Sequence, residues 1–167
     1  MAPFEAAAAT WRRIPIFSSR LSSRTLDVPP TVVADTGPIV ALLDADEAHH
    51  EWAREQFQTL AAPLLTCEAV LSEASFLLAR VGEDPSLPVT LVERGVLNVT
   101  RVLAAPEDVL AVGRLIRRYR NVPMSLADAC LVRIVERSDQ ASVLTLDSDF
   151  RIYRQGDRRV IPVLTPS

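Results

Sequence analysis

Two hydrophobic patterns alternate along the chain from residue 31 onward. Short apolar runs, several of them rich in β-branched residues, are typical of buried strands, and longer stretches with apolar residues three and four apart are typical of helices. The predicted strands are Thr31–Ala34, Leu64–Thr66, Val96–Leu103, Ser142–Leu146 and Val160–Leu164. The predicted helices are Pro38–Asp44, Asp46–Leu60, Glu68–Arg80, Leu87–Gly95, Pro106–Arg120 and Ser125–Arg137. Strands that alternate with helices indicate an α/β fold with right-handed crossovers and a central parallel sheet.

The first 29 residues do not share this pattern. They combine a short alanine run with Arg-rich and Ser-rich sequence, and Pro29 and Pro30 follow directly before the first predicted strand. We expect residues 1–29 to form an N-terminal extension, mostly disordered, and residues 30–167 to form one domain. Residues 1–26 hold four arginines and one acidic residue, so this segment could touch nucleic acid, although a solvated tail is the favoured interpretation.

Composition restricts the class of protein. Hydrophobic residues make up 49% and charged residues 23% of the 167 residues, and the net charge is -3, which is ordinary for a globular protein and not that of a strongly cationic nucleic-acid binder. All 18 basic residues are arginine, which excludes Schiff-base chemistry and a Walker-type phosphate lysine. The longest uncharged stretch, Gln56–Cys67, is too short to cross a membrane. Cys67 and Cys130 are expected in the core, and a reducing cytoplasm fits so few cysteines best.

Four acidic residues lie at positions that are unusual for a charge. Asp35 and Asp147 each follow an apolar strand, and Glu73 and Asp128 lie in predicted helices with mostly apolar residues three and four positions away. Each has an ordinary interpretation when taken alone. Asp35 could cap the next helix, Asp128 could form a capping box with Ser125, and Asp147 could belong to a turn, whereas Glu73 has no basic residue at helical spacing to pair with it.

The four acids together indicate a cation site. The carboxyl ends of parallel strands meet at one edge of the sheet, where open α/β folds bind ligands, and the two helices could lean over that edge. Converging carboxylates repel one another unless a divalent cation neutralises them, and an oxygen-only donor set selects Mg²⁺ or Mn²⁺ rather than zinc. Such a site typically activates water for phosphodiester chemistry.

Four segments that contain these acids resemble the ordered motifs of PIN-domain ribonucleases. They are Val32–Pro38, Leu71–Ala74, Ser125–Ala129 and Leu144–Phe150, and the chain is most similar to the VapC-type toxins of bacterial toxin–antitoxin modules. The resemblance covers about residues 31–164. It implies a three-layer fold with a central parallel sheet of four to five strands flanked by helices. It also implies a Mg²⁺-dependent endoribonuclease that is inhibited by a cognate antitoxin and is usually a homodimer.

The same resemblance assigns roles to individual residues. Asp35, Glu73, Asp128 and Asp147 would be the metal-site acids and the catalytic residues, Asp149 would be a further acid, and Thr145 would occupy a polar position beside the site. Two arginine clusters are candidates for contacts with RNA phosphates. Arg114, Arg117 and Arg118 share one helical face, and Arg151 and Arg154 belong to a cluster with Arg158 and Arg159 just after Asp149. His49, His50 and Trp52 are expected to serve in surface, core or interface packing.

Four other function classes compete with a ribonuclease. A flap-type nuclease that cuts DNA typically needs long basic insertions, which this chain lacks. A receiver domain needs a late lysine, and a phosphatase needs a second aspartate two residues after the first, where this chain has Gly37. The remaining alternative is a PIN-like module that binds RNA or protein without catalysis, and the presence of all four acids counts against it.

Overall fold

The chain folds around one parallel sheet. The computed structural model describes residues 31–122, 124–138, 140–156 and 158–166, so the predicted N-terminal extension lies outside the described residues. The strands of this sheet are β1 (Thr31–Ala34), β2 (Leu64–Thr66), β3 (Leu97–Val99), β4 (Ala141–Leu144) and β7 (Val163–Leu164), in the order β3-β2-β1-β4-β7. All four neighbouring pairs are parallel, which confirms the predicted α/β architecture.

Six helices in the described part of the chain flank this sheet. They are α1 (Thr36–Leu43), α2 (His50–Thr59), α3 (Glu68–Val81), α4 (Leu87–Glu93), α5 (Pro106–Arg118) and α6 (Leu126–Glu136). Short 3₁₀ turns cover Val102–Ala104 and Ser148–Arg151, and β5 (Arg154–Gln155) pairs antiparallel with β6 (Arg159–Val160). None of the described helices is both long enough and apolar enough to cross a membrane.

The centre of the sheet forms the core. β1 lies between β2 and β4, with Val33 opposite Leu65 on one side and Val143 on the other. Val33, Val143 and Leu144 have no exposed surface, because helices cover the sheet. The burial of β1 and β4 side by side fixes their carboxyl ends next to each other, and the peptide N–H of Asp35 donates to the carbonyl of Leu144 at 3.0 Å.

Glycines at two helix ends have identifiable structural roles. Gly82 ends α3 in the left-handed conformation, with a φ of 90°, which a glycine adopts without steric cost. At the start of α1, Gly37 lies against Leu146. A Cβ at this position would stand 3.2 Å from the Leu146 Cβ, so glycine permits the close approach of α1 to the loop after β4.

The predicted elements exist, but several boundaries differ. α1 begins two residues earlier than expected because Asp35 caps it, and α2 begins at His50 rather than Asp46. The expected strand Val96–Leu103 ends at Val99, and a 3₁₀ turn follows. The expected strand Val160–Leu164 is divided between β6 and β7 at Pro162, which has no N–H to continue a ladder.

A candidate acidic metal site at the carboxyl edge of the sheet

Asp35 is the buried centre of the acidic group. Its side chain is 6% exposed, and one carboxylate oxygen accepts a hydrogen bond from the backbone N–H of Thr36 at 2.7 Å, which caps α1. The other oxygen accepts from the hydroxyl of Thr145 at 2.7 Å. The Thr145 hydroxyl in turn accepts from the backbone N–H of Asp147 at 2.8 Å. This chain of hydrogen bonds joins the ends of β1 and β4 and orients the Asp35 carboxylate.

Asp147 lies in the loop that follows β4. Its side chain is exposed and accepts a hydrogen bond from the backbone N–H of Asp149 at 2.8 Å, so Asp147 also caps the 3₁₀ turn Ser148–Arg151. The buried ring of Phe150 anchors this turn in the core. The interpretation of Asp147 as a turn residue is therefore correct, and the same turn places Asp147 and Asp149 at the edge of the sheet.

Asp128 combines a capping role with a place in the acidic group. Its carboxylate accepts from the backbone N–H of Ser125 at 2.8 Å, and its own N–H donates to the Ser125 hydroxyl at 3.0 Å, which is a complete capping box. The side chain is 9% exposed. The capping box holds the Asp128 side chain in place at the start of α6.

Glu73 reaches the group from α3. Its carboxylate accepts a hydrogen bond from the hydroxyl of Thr36 at 3.0 Å, and Thr36 is the residue directly after Asp35. The structure corrects one part of the sequence argument. Glu73 is exposed rather than enclosed by apolar residues, since the neighbouring Phe76 is itself 61% exposed. Glu73 therefore lies at the open side of the acidic group.

Electrostatics shows that these carboxylates influence one another. The pKa of Asp35 is raised to about 7. Burial is the main cause, the charges of Asp128 and Asp147 act in the same direction, and the hydrogen bonds from Thr145 and Thr36 oppose them. Burial also raises the pKa of Asp128, against its hydrogen bonds to Ser125, and the charges of Asp147 and Glu73 act in the same direction. An acidic group whose members raise one another's pKa is stabilised by a bound cation.

The donor set fits a hard divalent cation. Every candidate ligand is a carboxylate oxygen, the type of ligand that Mg²⁺ and Mn²⁺ prefer. Within the described ranges, no three Asp, Glu, His or Cys side chains already stand close enough together to hold a metal ion.

Tyr153 is a polar residue of this region that the sequence did not indicate. The side chain is fully buried, and its hydroxyl has no hydrogen-bond partner among the described residues. Burial raises the pKa of Tyr153, and the charges of Asp128, Asp149, Asp147 and Asp35 raise it further. The hydroxyl is therefore within the field of the acidic group. The only sign of it in the sequence is that a tyrosine follows the last acidic motif, Leu144–Phe150, within a few residues.

Tyr119 contacts one residue of each arginine cluster. Arg114, Arg117 and Arg118 are exposed on α5, and the Arg118 guanidinium lies 5.5 Å from the centre of the Tyr119 ring. The Tyr119 hydroxyl accepts from the backbone N–H of Arg154 at 3.0 Å, which connects the end of α5 to the segment after Asp149.

Arg154 has a structural role that the sequence did not predict. One terminal nitrogen of its guanidinium donates to the carbonyls of Arg151, Ile152 and Tyr153 at 2.7–2.8 Å, and so fixes the end of the 3₁₀ turn. Arg151 is exposed on the same turn.

The remaining candidates lie outside the acidic group. The His50 ring contacts the carbonyl of Ala41 at 2.8 Å, His49 is exposed, and Trp52 packs against the core. Cys67 and Cys130 are buried, as expected of core residues.

Comparison with known proteins identifies the family. Residues 32–155 match the PIN domain. The chain is 29% identical over 118 residues to the ribonuclease VapC26 of Mycobacterium tuberculosis. The aligned segment covers 70% of this chain and 86% of that protein. The structure is similar to that of VapC20 from the same organism, which is described as a toxin that cleaves the sarcin–ricin loop. The TM-score is 0.67 at 20% sequence identity, and the match covers 77% of this chain and 99% of that one. The sheet order, the acids at the ends of β1 and β4 and the match over residues 32–155 lead to one conclusion: the chain belongs to the PIN-domain family.

Proposed function

We propose that this protein is a metal-dependent endoribonuclease and the toxin component of a type II toxin–antitoxin module. The observation that carries the proposal is the hydrogen-bonded chain from Asp147 through Thr145 to Asp35, which brings the acids of two strands to one edge of the sheet. Asp128 and Glu73 add two helical carboxylates to the same electrostatic group. The ribonuclease VapC26 supports the assignment to RNA rather than DNA.

The roles of the residues follow from their positions. Asp35, Glu73, Asp128 and Asp147 would hold Mg²⁺ or Mn²⁺, with Asp149 as a further acid. When bound, such an ion activates water for attack on a phosphodiester and stabilises the leaving oxygen. Thr145 is a positioning residue, since its hydroxyl holds the Asp35 carboxylate in one orientation. The capping box does the same for Asp128.

The arginines supply the surface that holds RNA. Arg114, Arg117 and Arg118 on α5 and Arg151 on the 3₁₀ turn are exposed, and Tyr119 joins their two elements. Contacts from guanidinium groups to phosphates would position the backbone without reading the bases. Arg154 would support this surface mainly by fixing the turn that carries Arg151, because one of its nitrogens is already bonded to three carbonyls.

The partners of the protein are part of the same proposal. A VapC-type toxin acts on RNA in the cytoplasm, is neutralised by a cognate antitoxin protein and usually forms a homodimer. The similarity to VapC26 and the shared fold with the VapC20 toxin support this assignment.

Cleavage of paired RNA and DNA substrates tests the proposal. The purified full-length chain is incubated with a structured RNA and with DNA of the same sequence, in Mg²⁺, in EDTA, and after Mn²⁺ is added back. We expect RNA to be cut in Mg²⁺, the activity to vanish in EDTA, and Mn²⁺ to restore it. Cleavage that persists in EDTA would overturn the metal mechanism, and cleavage of DNA alone would overturn the assignment of the substrate.

A matched pair of variants separates the site from general effects of charge. Asp147→Asn removes a proposed ligand and should reduce cleavage by about 100-fold or more, because even supporting residues of metal sites cost 10–100-fold. Asp46→Asn removes an exposed acid just beyond the far end of α1, about 12 Å along the helix from its capped start, and should leave the activity unchanged. Equal activity in the two variants would contradict the proposal.

A further inference from the structure

A cavity lies at the carboxyl edge of the sheet, outside the acidic group. It has a volume of about 400 Å³, which is within the range of pockets that bind small ligands in proteins. The segment after β3 provides Arg101 and Leu103, and the starts of α3 and α6 provide Glu68 and Leu126. Neither the acidic group nor the two arginine clusters include any of these four residues.

The cavity lies beside the acidic group. The register of β1 against β2 places Cys67, which lines the cavity, level with Asp35, and both residues have extended backbone. Neighbouring strands are about 4.8 Å apart, so the wall of the cavity begins one strand away from the buried acid. Leu126 is the first residue of the helix that carries Asp128. An RNA strand with a phosphate at the acids can therefore place a neighbouring base in the cavity.

The cavity combines apolar walls with charged side chains. Leu103 and Leu126 are each 46% exposed, so apolar surface is open to a ligand. Glu68 and Arg101 are exposed, and within the described part of the chain neither side chain forms a hydrogen bond or an ion pair. An unstacked nucleobase has two apolar faces and an edge of donors and acceptors, so it matches both kinds of surface.

The two charged side chains favour guanine over the other bases. A carboxylate only accepts hydrogen bonds, and a guanidinium only donates them. Guanine alone has two neighbouring donors, N1–H and the N2 amine, that one carboxylate can accept together. Its O6 and N7 are the acceptors that arginine contacts most often in nucleic acids. Adenine and cytosine offer a carboxylate only their single amine, and uracil offers only one N–H.

We propose that this cavity is a subsite for one unstacked guanine of the RNA substrate, next to the bond that is cut. Glu68 accepts from N1–H and the N2 amine of the base, and Arg101 donates to O6 and N7. Leu103 and Leu126 pack against the faces of the ring. The inference rests on the proposed ribonuclease and adds a preference for single-stranded RNA, because a paired guanine does not expose N1–H.

Binding of short oligoribonucleotides to the full-length chain tests the proposal. The oligonucleotides contain uridine except at one central position, which holds guanine, adenine, cytosine, inosine or 7-deazaguanine, and an all-uridine strand completes the set. Binding is measured in EDTA, where the free acids repel every strand alike. We expect guanine to bind about tenfold more tightly than adenine, cytosine or uracil, which is within the discrimination of one bidentate contact. Inosine lacks the N2 amine and 7-deazaguanine lacks N7, so each should lose most of this advantage.

Two variants assign the contacts. Glu68→Gln should bind guanine and inosine equally, and Arg101→Ala should bind guanine and 7-deazaguanine equally. Both side chains are exposed, so the melting temperature should not change. The matched controls Glu93→Gln and Arg94→Ala alter exposed residues that precede β3, at the opposite edge of the sheet from the cavity. They should keep the preferences of the wild type.

The outcomes separate this subsite from the proposed function. Equal affinity of the wild type for all bases would overturn the subsite, as would a guanine preference that persists in both Glu68→Gln and Arg101→Ala. Cut sites are also mapped in Mg²⁺ on a single-stranded RNA. Cuts placed without regard to guanine would overturn the subsite and leave the ribonuclease in place. A guanine preference in binding without RNA cleavage would support the subsite and contradict the ribonuclease.

Discussion

Asp35 is a buried carboxylate with a strongly raised pKa. It is 6% exposed, and its pKa is raised from a usual value of 3.8 to about 7, first by burial and then by Asp128 and Asp147. Between these two values the folded protein holds a proton that the unfolded chain has released. The free energy of unfolding of the metal-free protein should therefore fall as the pH rises from about 4 to about 7, by a few kcal/mol at most.

Asp35→Asn isolates this effect from the other titrating groups. The variant keeps one side-chain oxygen and loses the titratable proton. We expect the melting temperature in EDTA to decline from pH 5 to pH 8 more steeply for the wild type than for the variant. Parallel profiles would show that Asp35 titrates normally.

Tyr153 provides a second test at the scale of one residue. Its ring packs edge to face against Tyr119 and Phe150, and its buried hydroxyl has no partner among the described residues. Tyr153→Phe keeps the ring and removes this hydroxyl, so the metal-free melting temperature should stay equal or rise. The free energy gained should be about 1 kcal/mol at most.

The same variant tests whether the hydroxyl serves the acidic group. Because four acids raise the pKa of Tyr153, we expect Tyr153→Phe to weaken Mg²⁺ binding and to reduce RNA cleavage by about tenfold, the lower limit for the loss of a supporting group. A large fall in melting temperature, with Mg²⁺ affinity unchanged, would show instead that the hydroxyl is only structural.

At the scale of elements, Asp108 joins α5 to α6. Its carboxylate is 1% exposed and forms ion pairs with Arg133, at 2.8 Å, and with Arg137. Asp108→Asn would remove the charge that two arginines share, and because both arginines are partly exposed the cost should be about 2 kcal/mol in the free energy of unfolding. Urea titration measures it. The matched variant Glu107→Gln changes an exposed neighbour and should alter stability by less than about 0.5 kcal/mol.

The ion pairs of Asp108 also connect the helix that carries the proposed RNA-binding arginines to the helix that carries Asp128. α5 carries the exposed arginines Arg114 and Arg117, and α6 begins with the capping box of Asp128. If Asp108→Asn and Glu107→Gln unfold at the same urea concentration, the ion pairs do not hold α5 against α6.

The elements, and the placement of Asp35 and Asp147 after two neighbouring strands, could be predicted because local signals determine them. The strands β1 and β4 are short apolar runs. Asp35 directly follows β1, and Asp147 lies in the loop after β4. Parallel strands bring acids at such positions to one edge of the sheet. Asp35 and Asp128 both cap helices and belong to the acidic group, so the two interpretations of each were never exclusive. The same local reasoning failed for Glu73, because Glu73 and its apolar neighbour Phe76 on α3 are both solvent-exposed.

Contacts between distant residues could not be predicted from one sequence. The ion pairs of Asp108 and the burial of the Tyr153 hydroxyl both depend on how helices pack. The antiparallel pair of β5 and β6 was missed for another reason. Each strand has only two residues, too few to show a period.

At the scale of the whole molecule, the domain boundary remains a prediction. The PIN match begins at residue 32, and β1 begins at Thr31. A chain without residues 1–29 should therefore keep its melting temperature within a few degrees and its RNA cleavage unchanged. An insoluble or inactive product would show that the first segment is part of the folded domain.

The central claim is that the carboxylates at the edge of the sheet form one site for a divalent cation. Calorimetric titration of Mg²⁺ into the metal-free wild type, Asp128→Asn and the control Asp46→Asn tests it most directly. Asparagine can still accept the hydrogen bond from Ser125, so the variant keeps the start of α6. The account predicts saturable binding to the wild type and the control, and binding at least about tenfold weaker to Asp128→Asn. Equal affinity in all three proteins, or no binding to the wild type, would contradict it.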